Sequence, residues 1–269
     1  MTSVRRFCFP ALLALFVAGP LSAQSLSDIL SAEVLPGWKT ASGTHIAGIR
    51  LKLSQGWKTY WRSPGEAGIP PEFDWAGSDN IGRVQIHWPT PEVFSFNGMR
   101  SIGYAQEVVL PVEIWPLRSE EAITLDTSVD LGVCRDVCVP ANVKLSAVLS
   151  SKGNADPTIR KALSTQPASA HDLGLKTARC HIEPMKRGLK MTAELDMPPL
   201  GANEVVVIET ADARVWVSEA ETSRVGGKLY ADVDLVGPGR KPFSLDRSGI
   251  TMTVLAEGRA VEVRGCQGN

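Results

Sequence analysis

"AITLDTSVDLGVCRDVCVPANVKLSAVLS", residues 122–150, decides the fold. Apolar residues recur at every second position through "TLDTSVDLGV" and again through "VPANVKLSAVL", the period of a strand with one buried face. Arg135, Asp136 and Val137 lie between the two runs and are well placed as a three-residue hairpin loop. Cys134 and Cys138 then face each other at its base. Directly opposed strand positions have Cα atoms about 4.5 to 5.5 Å apart, which a disulfide can close.

Further strand patterns precede this hairpin. "HIAGIRLKL" alternates from His45, "VQIHW" from Val84, and "EVVLPVEIW" runs from Glu107 to Trp115. Turn-rich pieces such as "RSPGEAGIPPEF" and "SFNGMRS" separate them. Several short strands without crossover helices imply an all-β, antiparallel sandwich from about Trp38 to Leu149. Residues 150–172 are polar and contain Ala and Pro. They read as a linker with one short helix around "DPTIRKALS", capped by Asp156 and opened by Pro157. Strand patterns return in "LKMTAELDM", "EVVVIET", "ARVWVSEA", "KLYADVDLV", "ITMTVLAEG" and "AVEVRGC", a second, smaller all-β domain over residues 173–269.

The compartment follows from the first residues. Arg5 and Arg6 precede an apolar run from Phe7 to Val17, and Ser22 and Ala23 supply small residues for cleavage. This is the pattern of a secretory signal peptide over residues 1–23, and the run is shorter than the roughly 20 residues of a spanning helix. Of five cysteines, Cys8 leaves with the peptide, and Cys134, Cys138, Cys180 and Cys266 remain. In an oxidising space such an even set favours disulfides. No second long apolar run occurs, so the mature chain is expected to have no membrane span. A formal net charge of -1 with no basic block excludes the usual nucleic-acid binder. A hydrophobic fraction of 43% suffices for packed cores.

Three readings of the Cys134/Cys138 pair stand side by side. It is a structural staple, a metal clip or a redox couple. A ring this short gains little from a disulfide in the chain-entropy model, which favours chemistry over bracing. A metal would need more ligands than the separated His45 and His87 provide. Arg135 would lower a neighbouring thiol pKa by charge, and Asp136 would oppose it. Cys180 and Cys266 bracket the second β unit and are expected to form a structural disulfide; a second redox couple or unpaired thiols are the alternatives. His181, beside Cys180, reads as a surface residue rather than a metal ligand.

The ordered motifs "GWKTYWRSPGEAGIPPEFDW", "VFSFNGMRSIGYAQEVVLPVEI" and "GVCRDVCVPANVKL" resemble the N-terminal periplasmic domain of the DsbD and ScsB thiol:disulfide interchange proteins, over about Trp38 to Leu149. The resemblance implies an immunoglobulin-like β-sandwich over residues 24–149, located in the periplasm. Its paired cysteines would exchange disulfides with thioredoxin-like periplasmic proteins or a membrane electron-donor protein, as a component of protein-disulfide reductase chemistry, with no cofactor and no metal. It assigns Cys138 to partner attack and Cys134 to resolving the mixed disulfide. By position it makes Phe94 and Phe96 an aromatic cap and Tyr60 and Trp61 walls of the site. The Cys-x3-Cys spacing is shorter than in the better-known DsbD domains and closer to ScsB. The given chain also carries neither the membrane electron-transfer portion nor a thioredoxin-like C-terminal domain. A different class of function, a non-catalytic binding module with two structural disulfides, is the alternative.

Overall fold

The computed structural model describes residues 25–66, 68–96, 98–150, 153–240 and 243–268. The expected signal peptide, Cys8 included, lies outside them. A four-residue helix, α1 (Leu26–Ile29), leads into β1 (Leu30–Lys39), β2 (His45–Leu53), β3 (Lys58–Tyr60), β4 (Glu72–Asp74) and β5 (Arg83–Ile86). There follow β6 (Glu92–Phe96), β7 (Met99–Ala105), β8 (Glu107–Trp115), β9 (Ile123–Cys134) and β10 (Cys138–Leu149). After helix α2 (Pro157–Ser164) come β11 (Ala168–Ser169), β12 (Thr177–Met185), β13 (Gly188–Asp196), β14 (Val205–Thr210) and β15 (Trp216–Val217). The chain ends with β16 (Glu221–Val225), β17 (Lys228–Val236), β18 (Ile250–Ala256) and β19 (Arg259–Arg264).

The first ten strands form two sheets, ordered β1-β2-β8-β5 and β10-β9-β3-β7-β6, with β4 also on β9. Their strand pairs are antiparallel, and the inward residues Ile49, Leu51, Leu110, Val112, Leu125, Val129 and Val133 make one core. The remaining strands form a second pair of sheets, β11-β19-β18-β14 and β12-β13-β17-β15, with β16 also on β17. Met191, Ala193, Leu229, Leu235, Met252 and Val254 lie between them.

Strand β1 begins earlier than the sequence patterning indicated. Its alternation is interrupted at Pro36-Gly37, where the register with β2 shifts between Leu35 and Trp38 and Gly37 takes φ 67°. A side chain at Gly37 would collide with the Ile46 carbonyl oxygen at 1.7 Å. The irregularity is a bulge inside a strand, not the end of one.

The stretch expected as a linker is packed against both units. Asp156 accepts from the Thr158 and Ile159 amides at 2.7 and 3.1 Å, and Pro157 opens α2. Ile159 is fully buried against Ile46 and Val109, over Gly48, where an added Cβ would meet its Cγ1 at 3.0 Å. This is why His45–Ile49 are all buried instead of alternating: the helix covers the outer face of β2. Further on, β11 pairs in parallel with β19.

One sheet of the second unit faces both cores. From β14, β18 and β19, Val207, Leu255 and Ala260 join the first core, while Val206, Val254 and Val261 point into the second. Arg62, just after β3, crosses the same boundary. Its Nε and Nη2 donate to Glu209 at 3.0 and 2.9 Å, and Nη2 also reaches Glu262 at 3.1 Å. Its guanidinium stacks over Trp61 at 4.3 Å.

Candidate functional site

The β9–β10 hairpin pairs Cys138 with Cys134, and the two are bonded with a Cα–Cα distance of 4.1 Å. Both sulfurs lie on the outer face of their sheet, because the next residues inward, Val133 and Leu131, fill the core. Burial nonetheless separates them. Cys134 is 2% exposed, whereas Cys138 is exposed.

What hides Cys134 is Tyr60. Lys58 on β3 pairs with Cys134, so Tyr60, two residues on, projects from the same face. Its hydroxyl donates to Cys134 Sγ at 2.9 Å and lies 3.3 Å from Cys138 Sγ. Burial raises the Tyr60 pKa from its usual 10.0, so the phenol keeps its proton across the neutral range. The ring lies over Gly132: a Cβ there would meet Tyr60 ring carbons at 3.1 and 3.2 Å and Ile69 Cβ at 2.9 Å. Above it runs the turn-rich stretch through Pro64, Gly68 and Ile69, and a Cβ at Gly68 would lie 2.9 Å from the Tyr60 ring. This cover explains why β9 is buried on both faces from Leu131 to Cys134 after alternating up to Asp130.

Gly132→Ala should therefore displace Tyr60 or Ile69. The expected cost is about 1 to 3 kcal/mol in urea unfolding, typical of overpacking at a filled site. The same variant should expose Cys134, read as faster reduction of the Cys134–Cys138 bond by a small thiol.

The other expected site residues divide. Trp61 is fully buried in the first core, on the face opposite Tyr60, and so is not a wall of the sulfur site. Phe94 pairs with Ser101 on β7 and is half-buried, with Lys58 Nζ 4.9 Å from its ring centroid. Lys58 also donates to Ser101 Oγ at 3.2 Å. Phe96 pairs with Met99 in the backbone register, and its side chain lies outside what the structure describes. Arg135 and Asp136 pair with each other at 3.0 Å, so their charges offset beside the disulfide. Lys58, Gly132 and Ile69 complete the site without having been singled out in the sequence.

Cys180 and Cys266 are bonded, with a Cα–Cα distance of 5.7 Å, and Cys180 is fully buried. His181 is an exposed partner of Glu183 at 2.9 Å. Among the described residues, no group of three or more His, Cys, Asp or Glu is arranged to hold a metal. No described helix is long and apolar enough to cross a membrane. A cleft of about 650 Å³ opens between the units at Arg62, Arg100, Glu209 and Trp216, and neither Cys134 nor Cys138 lines it. Two smaller hollows flank the cysteine hairpin instead. One of about 350 Å³ involves Ile69, Pro70 and Pro140, and one of about 230 Å³ involves Trp57, Val137 and Val139.

Residues 29–150 match the family model described as "Thiol:disulfide interchange protein DsbD, N-terminal". This segment belongs to that family. The DsbD-type domain is thus a thiol:disulfide interchange domain, and Cys134 and Cys138 are its bonded cysteine pair. The crystal structure of the N-terminal periplasmic domain of ScsB from Proteus mirabilis is similar, with 23% identity and a TM-score of 0.62. The likeness covers 89% of this chain and 92% of that one, so it extends beyond the DsbD-type domain into the second β unit. The shared fold is the immunoglobulin-like sandwich expected from the sequence motifs. No curated protein matches the chain at a significant level.

Proposed function

We propose that the chain is a periplasmic thiol:disulfide interchange protein whose Cys134–Cys138 bond is opened at Cys138 by the dithiol of a thioredoxin-like partner. The observation that carries this reading is the asymmetry of the two sulfurs: one exposed, the other 2% exposed beneath a phenol. Disulfide exchange needs an in-line approach to one sulfur and a tolerated leaving thiolate on the other. Cys138 offers the approach. Cys134, with the Tyr60 hydroxyl at 2.9 Å, offers the leaving group.

In the forward direction the partner's thiolate bonds to Cys138 Sγ, the intramolecular bond breaks, and its electron pair remains on Cys134, where the Tyr60 hydroxyl hydrogen-bonds to it. The partner's second thiol, once deprotonated, attacks its own sulfur in the mixed disulfide and leaves as a disulfide. The domain keeps the two electrons as a dithiol. Reversal of the same steps delivers them to an oxidised partner, with Cys134 resolving the mixed disulfide. Exposed apolar residues around Cys138, Ile69 and Val137 together with Pro140, supply a contact rim for docking. The similar ScsB domain is a periplasmic one, in keeping with the expected signal peptide.

Trapping tests the assignment. Cys134→Ser protein, which cannot resolve through its own thiol, should accumulate a mixed disulfide with a thioredoxin-like partner through Cys138. Cys138→Ser protein should accumulate at least ten-fold less. Equal trapping by both variants would overturn the assigned roles, and no trapping by either would favour two structural disulfides in a binding module.

A further inference from the structure

Lys58 occupies an unusual place for a cation. It is the cross-strand partner of Cys134, on the same outer face, yet its ammonium is engaged by residues of β6 and β7, on the side of β3 away from β9. It rests instead over the Phe94 ring at 4.9 Å and donates to Ser101 Oγ at 3.2 Å. A cation within about 6 Å of an aromatic centroid is held by the ring quadrupole. The hold depends on Phe94 staying where it is.

Directly opposed residues of an antiparallel pair have Cβ atoms about 4.5 to 5.5 Å apart. A lysine side chain spans that gap easily, so rotation about its own side-chain bonds brings the Lys58 ammonium to Cys134. Phe94 lies on β6, the edge strand of the sheet, where a docking protein has access.

We propose that Lys58 is a charge held in reserve. It is parked on Phe94 and Ser101 in the free protein, and released onto the Cys134 thiolate when a docking partner displaces Phe94. This rests on the proposed role of Cys134 as the leaving sulfur. The partner, a protein dithiol, forms its bond to Cys138 Sγ as the Cys134–Cys138 bond breaks. The electron pair left on Cys134 then meets an ammonium that was absent from the resting site. The undocked site thereby avoids a standing activator beside its reduced thiols, and the docked site acquires one.

Of the other ionisable groups on this face, Asp130 accepts from Asn142 at 2.8 Å and pairs across from Glu72, and both would raise a thiol pKa. Tyr60 contributes its hydroxyl. Arg135 and Asp136 on the hairpin are paired with each other, and Arg62 is engaged by Glu209 and Glu262. Glu92, on the same face of β6 in the row of Gly103 and Tyr60, is exposed and would raise a thiol pKa, not lower it.

The test uses Cys138→Ser protein from residue 24 onward, without Cys8 and with the Cys180–Cys266 bond intact, so that Cys134 is the thiol that titrates. Its ionisation is followed by thiolate ultraviolet absorbance against pH. Phe94→Leu keeps the apolar volume but removes the aromatic face, and it should lower the Cys134 pKa by about one unit, as an opposite charge at close range does. Adding Lys58→Met should abolish that fall, and Lys58→Arg in its place should restore it. No fall in Phe94→Leu, or a fall that survives Lys58→Met, would overturn the proposal. Should Phe94→Leu not fold, the same three Lys58 forms are titrated with Ser101→Ala, which removes the other anchor: a fall that needs the cation supports the proposal, and its absence or its survival in Lys58→Met overturns it. Partner trapping at Cys138 in the Cys134→Ser protein involves neither Lys58 nor the Cys134 thiolate, so failure of that assignment is distinguishable from failure of this one.

Discussion

Replacing Cys180 and Cys266 together by alanine is expected to lower the unfolding free energy by about 4 to 5 kcal/mol while leaving exchange at Cys138 intact. The bond closes a separation of 86 residues, and the chain-entropy relation converts that length into a stabilisation of this size. The same relation gives only about 2 kcal/mol for the separation of 4 between Cys134 and Cys138. Native structure around the long bridge depends on it. Cys180 lies on β12, Cys266 follows β19 in the opposite sheet, and the tail is laid beside β12 by the Cys180 amide to Gln267 carbonyl bond at 2.9 Å. Losing the bridge frees the tail and unties two sheets. For a chain of this size the cost corresponds to a fall in melting temperature of roughly 10 to 15 °C. Burial adds a second contrast: a mild dithiol should open the Cys134–Cys138 bond in the native protein and leave Cys180–Cys266 closed until unfolding. Mass mapping after partial reduction, with thermal melts of the double variant, checks both outcomes.

The difference between the two bridges was partly legible in the sequence. Alternation on both sides of Arg135–Val137 fixed the hairpin register that brings Cys134 opposite Cys138, because a one-residue slip would turn each strand's apolar set to solvent. The Asp156-Pro157 start of α2 was legible for an equally local reason, a side-chain cap followed by a residue that needs no amide partner. Residues whose role depends on distant chain were not. Ile159 reads as one apolar residue in a polar stretch until Gly48 provides a seat for it. Gly132 reads as a strand glycine until Tyr60, from a strand over seventy residues away, lies across it. Trp61 is a different case. Successive strand side chains point to opposite faces, so Tyr60 and Trp61 cannot both wall one site, and the pairing of Thr59 with Val133 puts the tryptophan on the core side. The family resemblance points to the stretch, and the strand period decides which of its aromatics reaches the sulfurs.

Arg62→Met is expected to destabilise the protein by about 3 kcal/mol, more than any single surface charge would, because it leaves two carboxylates facing each other across the boundary between the units. The side chains of Arg62, Glu209 and Glu262 are 23%, 23% and 16% exposed, too covered for water to replace the guanidinium fully. Surface pairs such as Lys39–Glu120, whose glutamate is 89% exposed, contribute at most about 1 kcal/mol by comparison. Methionine keeps much of the apolar stem over Trp61, so the loss isolates the charge. If that account is right, adding Glu209→Gln and Glu262→Gln to Arg62→Met should recover most of the stability, since the neutral amides no longer repel. Urea unfolding of the single and triple variants reads the difference. A triple variant as unstable as Arg62→Met alone would show that the arginine acts through packing on Trp61 rather than through the carboxylates. The result bears on function through chain position. Arg62 follows Tyr60 by two residues, so the carboxylates of β14 and β19 hold the end of the strand that sets a phenol on the sulfurs. Through those contacts the second unit braces the chain that carries Tyr60.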